Sequence, residues 1–304
     1  MGRFVGSTLL TLCIVISVIE AQTPSKLNDV GIDHYGTCAT TIIAPFGASF
    51  IVDSRVTDVI GNRIVGQHRG CKVLLARPSV LLVGVGLNDT TGRGGHWNAL
   101  DAAAVAVNTL PENPSEAQID QLAPAWAQTL IRHFRQGAED LTALPQLVPL
   151  SELLLITRVG DTFYFKRTRV EWDGVQFHWT LEGQVLDKSV PQVEYAGLCR
   201  RFVSHDDGKG GWHNPEYRTP LEDQRMGYWG RRKSDAKTAD DLRAVALGLE
   251  MTLTDIDVRL QGKAAAIGPP YATAEWAEGD KGWTTHFDAA CESNPRTPPE
   301  TSGK

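Results

Sequence analysis

The sequence contains no Cys-x-x-C pair and no excess of positive charge. Past its N-terminal segment it has no hydrophobic run long enough to cross a bilayer. Each absence excludes something. Without closely spaced cysteine pairs, the five cysteines do not fit a structural zinc site. A net charge of −6 gives no general attraction to nucleic acid or anionic lipid, so neither is expected as a partner. The stretch "GKGG" at 208–211 lacks the spacing and the following Ser or Thr of a phosphate-binding loop. No internal repeat is visible. What remains is a chain of 304 residues, 42% hydrophobic and 22% charged, which is the balance of a soluble globular protein of one or two domains.

The N-terminus reads as a targeting segment. Arg3 precedes the apolar run "FVGSTLLTLCIVISVI", and the small residue Ala21 follows shortly after. This pattern predicts a secretory signal peptide over 1–21 rather than the rival reading, an uncleaved membrane anchor, because the run falls short of the ~20 residues a helical span requires. Export implies a secreted or periplasmic protein with no membrane contact after cleavage. Cys13 leaves with the signal. Cys38, Cys71, Cys199 and Cys291 remain, an even number suited to two disulfides in an oxidising compartment.

The pattern then alternates between strand-rich and helix-rich stretches. Residues 22–36 are polar and aperiodic, a possible propeptide. From Thr40 to Val52, β-formers surround Pro45 and Gly47, a hairpin signal. "KVLLARPSVLLVGVG" (72–86) repeats it around Arg77-Pro78-Ser79. A helix is predicted from His96 to Pro111, and a second opens with a capping-box pair, Ser115 and Gln118. In that second helix Ile119, Leu122, Trp126, Leu130 and Phe134 share one face. Strands return over "LLLITRV", "TFYFKRTRVEW" and "VQFHWTLEG". Residues 195–236 carry no clear pattern. A helix capped near Thr238 or Asp240 follows, then a closing strand pair over 264–283 and a polar, Pro-rich tail over 291–304. Runs of strands and runs of helices in this order predict an α+β fold with antiparallel sheets. In "SHDDGKGGWH", His205, Asp206, Asp207 and His213 could hold a metal but read better as a solvated loop. No metal or cofactor is expected.

One stretch, "HYGTCATTIIAPFGASFIVDSR" (34–55), joins the hairpin to chemistry. Gly36-Thr37 is followed ten residues after Thr37 by Gly47 and sixteen after it by the Asp53 of "Asp-Ser-Arg"; the Lys72-Val73 hairpin comes next. In this order and spacing, residues 36–287 resemble the proteasome β-subunits and the wider N-terminal nucleophile (Ntn) hydrolases. The resemblance implies a four-layer αββα sandwich of two antiparallel sheets between helical layers, spanning 37–290. It also implies self-cleavage at Gly36-Thr37, with Thr37 as nucleophile, Asp53 and Lys72 in support, and Gly86 near the oxyanion. By looser alignment Asp255 is a further supporting residue. The substrate would be a peptide or small amide, and homo-oligomers are possible. The chain departs from the family pattern in four places. Asp53 to Lys72 is three residues longer, a Gly-rich insertion delays the first helix, the run after Gly36 is "TCATTII" where the family has "TTT" or "TTI", and the small-residue Gly-Ser-Gly element has no clear counterpart.

The chemistry requires these residue types independently of the resemblance. A Thr hydroxyl is a weak nucleophile until a base removes its proton. A free α-amine with a pKa of ~8 is such a base, and only an N-terminal Thr carries one. A nearby Lys depresses that amine's pKa, and an Asp holds the Lys by a charge-assisted hydrogen bond. Two other nucleophiles stay open. Cys38 requires cleavage one residue later, and Thr40 requires a break after Ala39. A catalytically inactive binding or assembly module of the same fold is the alternative function. If Thr37 and Lys72 point into one site, their neighbours Cys38 and Cys71 point to the opposite face. On that basis a Cys38–Cys71 disulfide is expected, leaving Cys199 with Cys291.

Overall fold

The computed structural model describes residues 31–32, 37–60, 63–92, 95–137, 149–186, 191–203, 217–262 and 265–287. The expected signal peptide, most of the propeptide including Gly36, the 205–213 loop, Cys291 and the tail lie outside the described residues. A short β1 (Gly31–Ile32) comes first. Strands β2 (Cys38–Ala44) and β3 (Gly47–Asp53) then form the hairpin expected around Pro45, with Ala44 opposite Gly47. A second hairpin, β4 (Arg55–Ile60) and β5 (Arg63–Arg69), fills the extra length before Lys72 and was not anticipated. Strands β6 (Val73–Arg77) and β7 (Val80–Gly86) turn at Pro78-Ser79, and the small pair β8 (Asp89–Gly92) and β9 (Gly95–Asn98) follows.

Local chemistry sets the helix starts. Helix α1 (Ala99–Asn108) begins where the Asn98 side chain accepts the N–H groups of Leu100 and Asp101. Helix α2 (Glu116–Asp120) has the expected Ser115/Gln118 capping box and leads into α3 (Leu122–Gly137). Strands β10 (Pro149–Val159), β11 (Thr162–Trp172), β12 (Phe177–Leu186) and β13 (Gln192–Gly197) come next. The segment without a clear pattern contains the end of β13, the short α4 (Leu198–Val203) and α5 (Pro220–Asp235), the last capped by Thr219 and Glu222. Helix α6 (Ala239–Gln261) starts at Thr238 in a capping box with Asp241. The closing pair is β14 (Tyr271–Ala277) and β15 (Thr284–His286). It begins later than expected because Pro269 and Pro270 have no N–H to give a ladder.

Two five-stranded antiparallel sheets result, ordered β12-β11-β10-β7-β6 and β13-β2-β3-β14-β15. Strand alternation sorts their side chains into three apolar clusters. Leu82, Leu153 and Leu155 of the first sheet pack on Trp126, Leu130 and Phe134 of α3. The opposite face, Val83, Leu154 and Ile156, meets Ala39, Phe50 and Val52 of the second sheet. The far face of that second sheet, Ile42 and Ile51, packs on Leu242, Val245, Leu249 and Leu253 of α6. Each fully buried Leu or Ile contributes roughly 1.5–3 kcal/mol, so these clusters hold the sheets in register. The α+β class with two antiparallel sheets and helices is as expected.

Candidate active site

The site is built around one peptide group. The carbonyl of Thr37 accepts the N–H of Leu198 at 2.9 Å. The next N–H, that of Cys38, donates to Asp53 Oδ1 at 2.7 Å. Both polar ends of the Thr37–Cys38 peptide are therefore held, one by the turn after β13 and one by the end of β3. The close approach on the β13 side needs a glycine. Gly197 has φ +66°, and a Cβ there would lie 2.1 Å from the Thr37 carbonyl oxygen.

Asp53 extends this grip to a cation. Its second oxygen accepts from Lys72 Nζ at 2.8 Å, and both side chains are buried. Lys72 precedes β6 directly, and its carbonyl accepts the Gly84 N–H at 2.9 Å, which ties it to β7. Burial pushes the Asp53 carboxyl up. The Lys72 charge and hydrogen bond and the N–H groups of Cys38 and Arg55 oppose that shift. Burial likewise pushes the Lys72 ammonium down, against the attraction of Asp53. The pair is thus a desolvated unit rather than the ordinary surface ion pair that two such residues more often make.

The end of β7 lies alongside. Val85 Cγ1 would sit 2.8 Å from a Cβ at Gly197, so β7 passes next to the turn that holds Thr37. Gly86 has φ +75°, and its neighbour Leu87 is fixed from both sides. The Leu87 N–H donates to Leu150, and its carbonyl accepts from Ser151 Oγ at 2.6 Å. Thr37 itself is buried, and its hydroxyl has no hydrogen-bond partner among the described residues.

A second carboxylate lies beneath the site and was not singled out from the sequence. Glu250 of α6 is buried and accepts from Thr40 Oγ1 at 2.8 Å. Its pKa is raised well above the ordinary range by burial and then by the Asp53 charge, with Thr40 and Lys72 opposing. Asp257 of the same helix accepts the N–H groups of Ala266 and Ile267 at 2.7 and 2.8 Å, fixing the chain ahead of β14. A signal for both existed. Ala246, Leu249, Leu253 and Ile256 mark the inward stripe of α6, and Glu250 and Asp257 lie on that stripe at helical spacing.

Several expectations need correction. Asp255 is not brought to the site; it lies on the outer surface of α6, paired with Arg225 at 2.7 Å. The expected Cys38–Cys71 and Cys199–Cys291 pairing does not form. Cys38 is bonded to Cys199, with Cα atoms 4.9 Å apart. The parity argument failed because Cys38 points toward the helices with Ile42, whereas Cys71 packs in the cluster between the sheets. Cys71 is disulfide-bonded as well. The disulfide leaves Cys38 no free thiol as an alternative nucleophile. The hydroxyl of Thr40, mid-strand between β13 and β3, is committed to Glu250. Cys38, Cys199 and Glu250 present ligand atoms within 4.8 Å of one another, but the two sulfurs are bonded together.

No family model matches the chain, and no curated protein matches it. Among solved structures the chain is similar to the Anbu (Gly-1) mutant from Hyphomicrobium sp. strain MC1. The likeness is 12% in identity, covers 80% of this chain and 82% of that one, and has a TM-score of 0.41. A likeness of that degree supports no further statement about fold or chemistry.

Proposed function

We propose that this chain is an exported N-terminal threonine hydrolase, similar to the proteasome β-subunits, that cleaves peptide or amide bonds after processing itself at Gly36-Thr37. One observation carries the reading. Asp53 links the peptide group of Thr37 to a buried Lys72, so the residue types the chemistry demands are joined by two short hydrogen bonds. The three apolar clusters also suit a four-layer sandwich, with helices outside both sheets.

Cleavage at Gly36-Thr37 frees the Thr37 α-amine. That amine takes the proton from Oγ1 as the oxygen attacks the substrate carbonyl. Lys72, held by Asp53, supplies positive charge beside the hydroxyl and keeps the amine in its neutral, basic form. The N–H of Gly86 is the proposed donor to the oxyanion, a contribution of roughly 2.7–4 kcal/mol per donor in such sites. The α-ammonium so formed gives its proton to the leaving nitrogen as the intermediate collapses to an ester on Thr37 and the amine product departs. Water, activated by the same α-amine, then hydrolyses the ester.

Export suits this reading, since the Cys38–Cys199 bond requires an oxidising compartment to persist. No helix among the described residues is long and apolar enough to cross a membrane. The test is hydrolysis of a panel of chromogenic peptide amides by the wild-type chain and by Thr37→Ala. The wild type should turn over at least one member and the variant none. Equal turnover by both would remove Thr37 from the chemistry.

A further inference from the structure

We propose that the Cys38–Cys199 disulfide positions Thr37, so that self-processing and turnover depend on oxidation of these two thiols. The inference rests on the Thr37 reading above and concerns the control of that same site.

The geometry is local and convergent. Cys38 immediately follows Thr37, and Cys199 immediately follows Leu198, whose N–H holds the Thr37 carbonyl at 2.9 Å. The covalent bond therefore joins the residues next to the two ends of that hydrogen bond. Gly197, one step before Leu198, pairs with Cys38 across β13 and β2. Its left-handed backbone turns the chain so that the Leu198 N–H faces Thr37.

The turn has non-covalent support as well: Arg167 donates to the Tyr195 carbonyl, the Gly197 N–H bonds Glu152, and Cys199 and Phe202 pack in the α6 cluster. In its sheet, however, β13 is an edge strand paired only with β2, and α4 beyond it is a single short helix of 6 residues. Among the described residues the disulfide is the one covalent tie between this turn and β2. The bridge spans a sequence separation of 161 residues, so no local chain connection substitutes for it. Without the bond, the turn can move away from β2 while Asp53 still holds the Cys38 N–H. The Thr37 carbonyl then loses its donor, and Thr37 loses its fixed orientation. A misplacement of about 1 Å in such a site is enough to slow reaction about 100-fold.

The redox step balances with an external disulfide as oxidant. The Cys38 and Cys199 thiols give up two protons and two electrons to glutathione disulfide. One protein S–S bond forms, one glutathione S–S bond breaks, and two glutathione thiols leave. A chain still in a reducing compartment would therefore carry the nucleophile in a latent form, and export would complete the site.

The experiment uses the full chain, purified reduced and then exposed to glutathione disulfide. It is run for the wild type, for the Cys38→Ala/Cys199→Ala double variant and for Thr37→Ala. Intact mass reports cleavage before Thr37, peptide-amide kinetics report kcat and KM, and far-UV circular dichroism reports folding. Oxidation should start cleavage in the wild type. The folded double variant should remain slower by about 100-fold in processing and kcat, with KM little changed. Equal rates for reduced and oxidised wild type, or a double variant that processes at the oxidised wild-type rate, would overturn the positioning role while leaving Thr37 as nucleophile. If the double variant does not fold, Cys71→Ala compared in its reduced and oxidised forms decides the question, because Cys71 is itself disulfide-bonded in the wild type. An oxidised wild type that behaves like Thr37→Ala would overturn the nucleophile assignment itself, and the positioning role with it.

Discussion

The Asp53 carboxylate and the Lys72 ammonium meet at 2.8 Å with neither side chain open to solvent. Two charges taken out of water add little net stability as a pair, but removing one strands the other. That loss costs roughly 3–5 kcal/mol. Lys72→Met and Asp53→Asn should each destabilise the chain by about that amount. The double variant should recover much of the loss, since no lone buried charge remains. None of the three should hydrolyse amides. Urea unfolding followed through this double-mutant cycle checks the claim, and single variants as stable as wild type would contradict it.

Gly197→Ala should damage the same site from the opposite side. The left-handed backbone and the 2.1 Å approach to the Thr37 carbonyl leave no room for a methyl group. A cost of about 1–3 kcal/mol is expected from the strained conformation, together with slower cleavage before Thr37. Thermal melts and intact mass measured over time would show both effects. A variant as stable and as fast as wild type would mean that Thr37 is not held by this turn.

Glu250 gives the protein a specific pH dependence. Its folded pKa lies above the ordinary 4.5, so the folded chain keeps a proton that the unfolded chain releases. Stability from this group therefore falls as pH rises above about 4.5, by up to about 1.4 kcal/mol per pH unit, and levels off beyond the folded pKa. Burial raises that pKa first and the Asp53 charge adds to the rise, while the Thr40 hydrogen bond and the Lys72 charge oppose it. Glu250→Gln keeps an acceptor for Thr40 and removes the titration. It should match wild type near pH 4.5 and exceed it in stability at pH 8. Denaturation midpoints across that range decide it; parallel curves would mean that Glu250 ionises normally.

Asp255 and Asp257 should separate cleanly. Asp255 is more than half exposed, with one surface partner, so Asp255→Ala should change stability by no more than about 0.5 kcal/mol. Asp257 holds two backbone N–H groups ahead of β14. Asp257→Ala should cost about 1–3 kcal/mol, because it leaves buried donors without an acceptor. Comparable melting temperatures for the two variants would contradict the placement.

The contrast between these two aspartates shows what the sequence could convey. Hairpins around Pro45 and Pro78 and the caps at Ser115 and Thr238 depend on neighbours within a few residues, and they were legible. The spacing from Thr37 to Asp53 was legible too, because β2 and β3 form one local hairpin with a fixed register. The inward stripe of α6 was readable in principle and would have ranked Asp257 and Glu250 above Asp255. The Cys38–Cys199 bond and the Leu198 donor were not readable. They depend on β13 returning beside β2, a long-range pairing that leaves no local pattern in a stretch of mixed polarity.

The most direct test of the central claim is the intact mass of the mature protein recovered from an oxidising compartment. The account predicts a chain that begins at Thr37, with Cys38 linked to Cys199. A mature chain that begins near Gln22, with the Gly36-Thr37 bond intact, would contradict it.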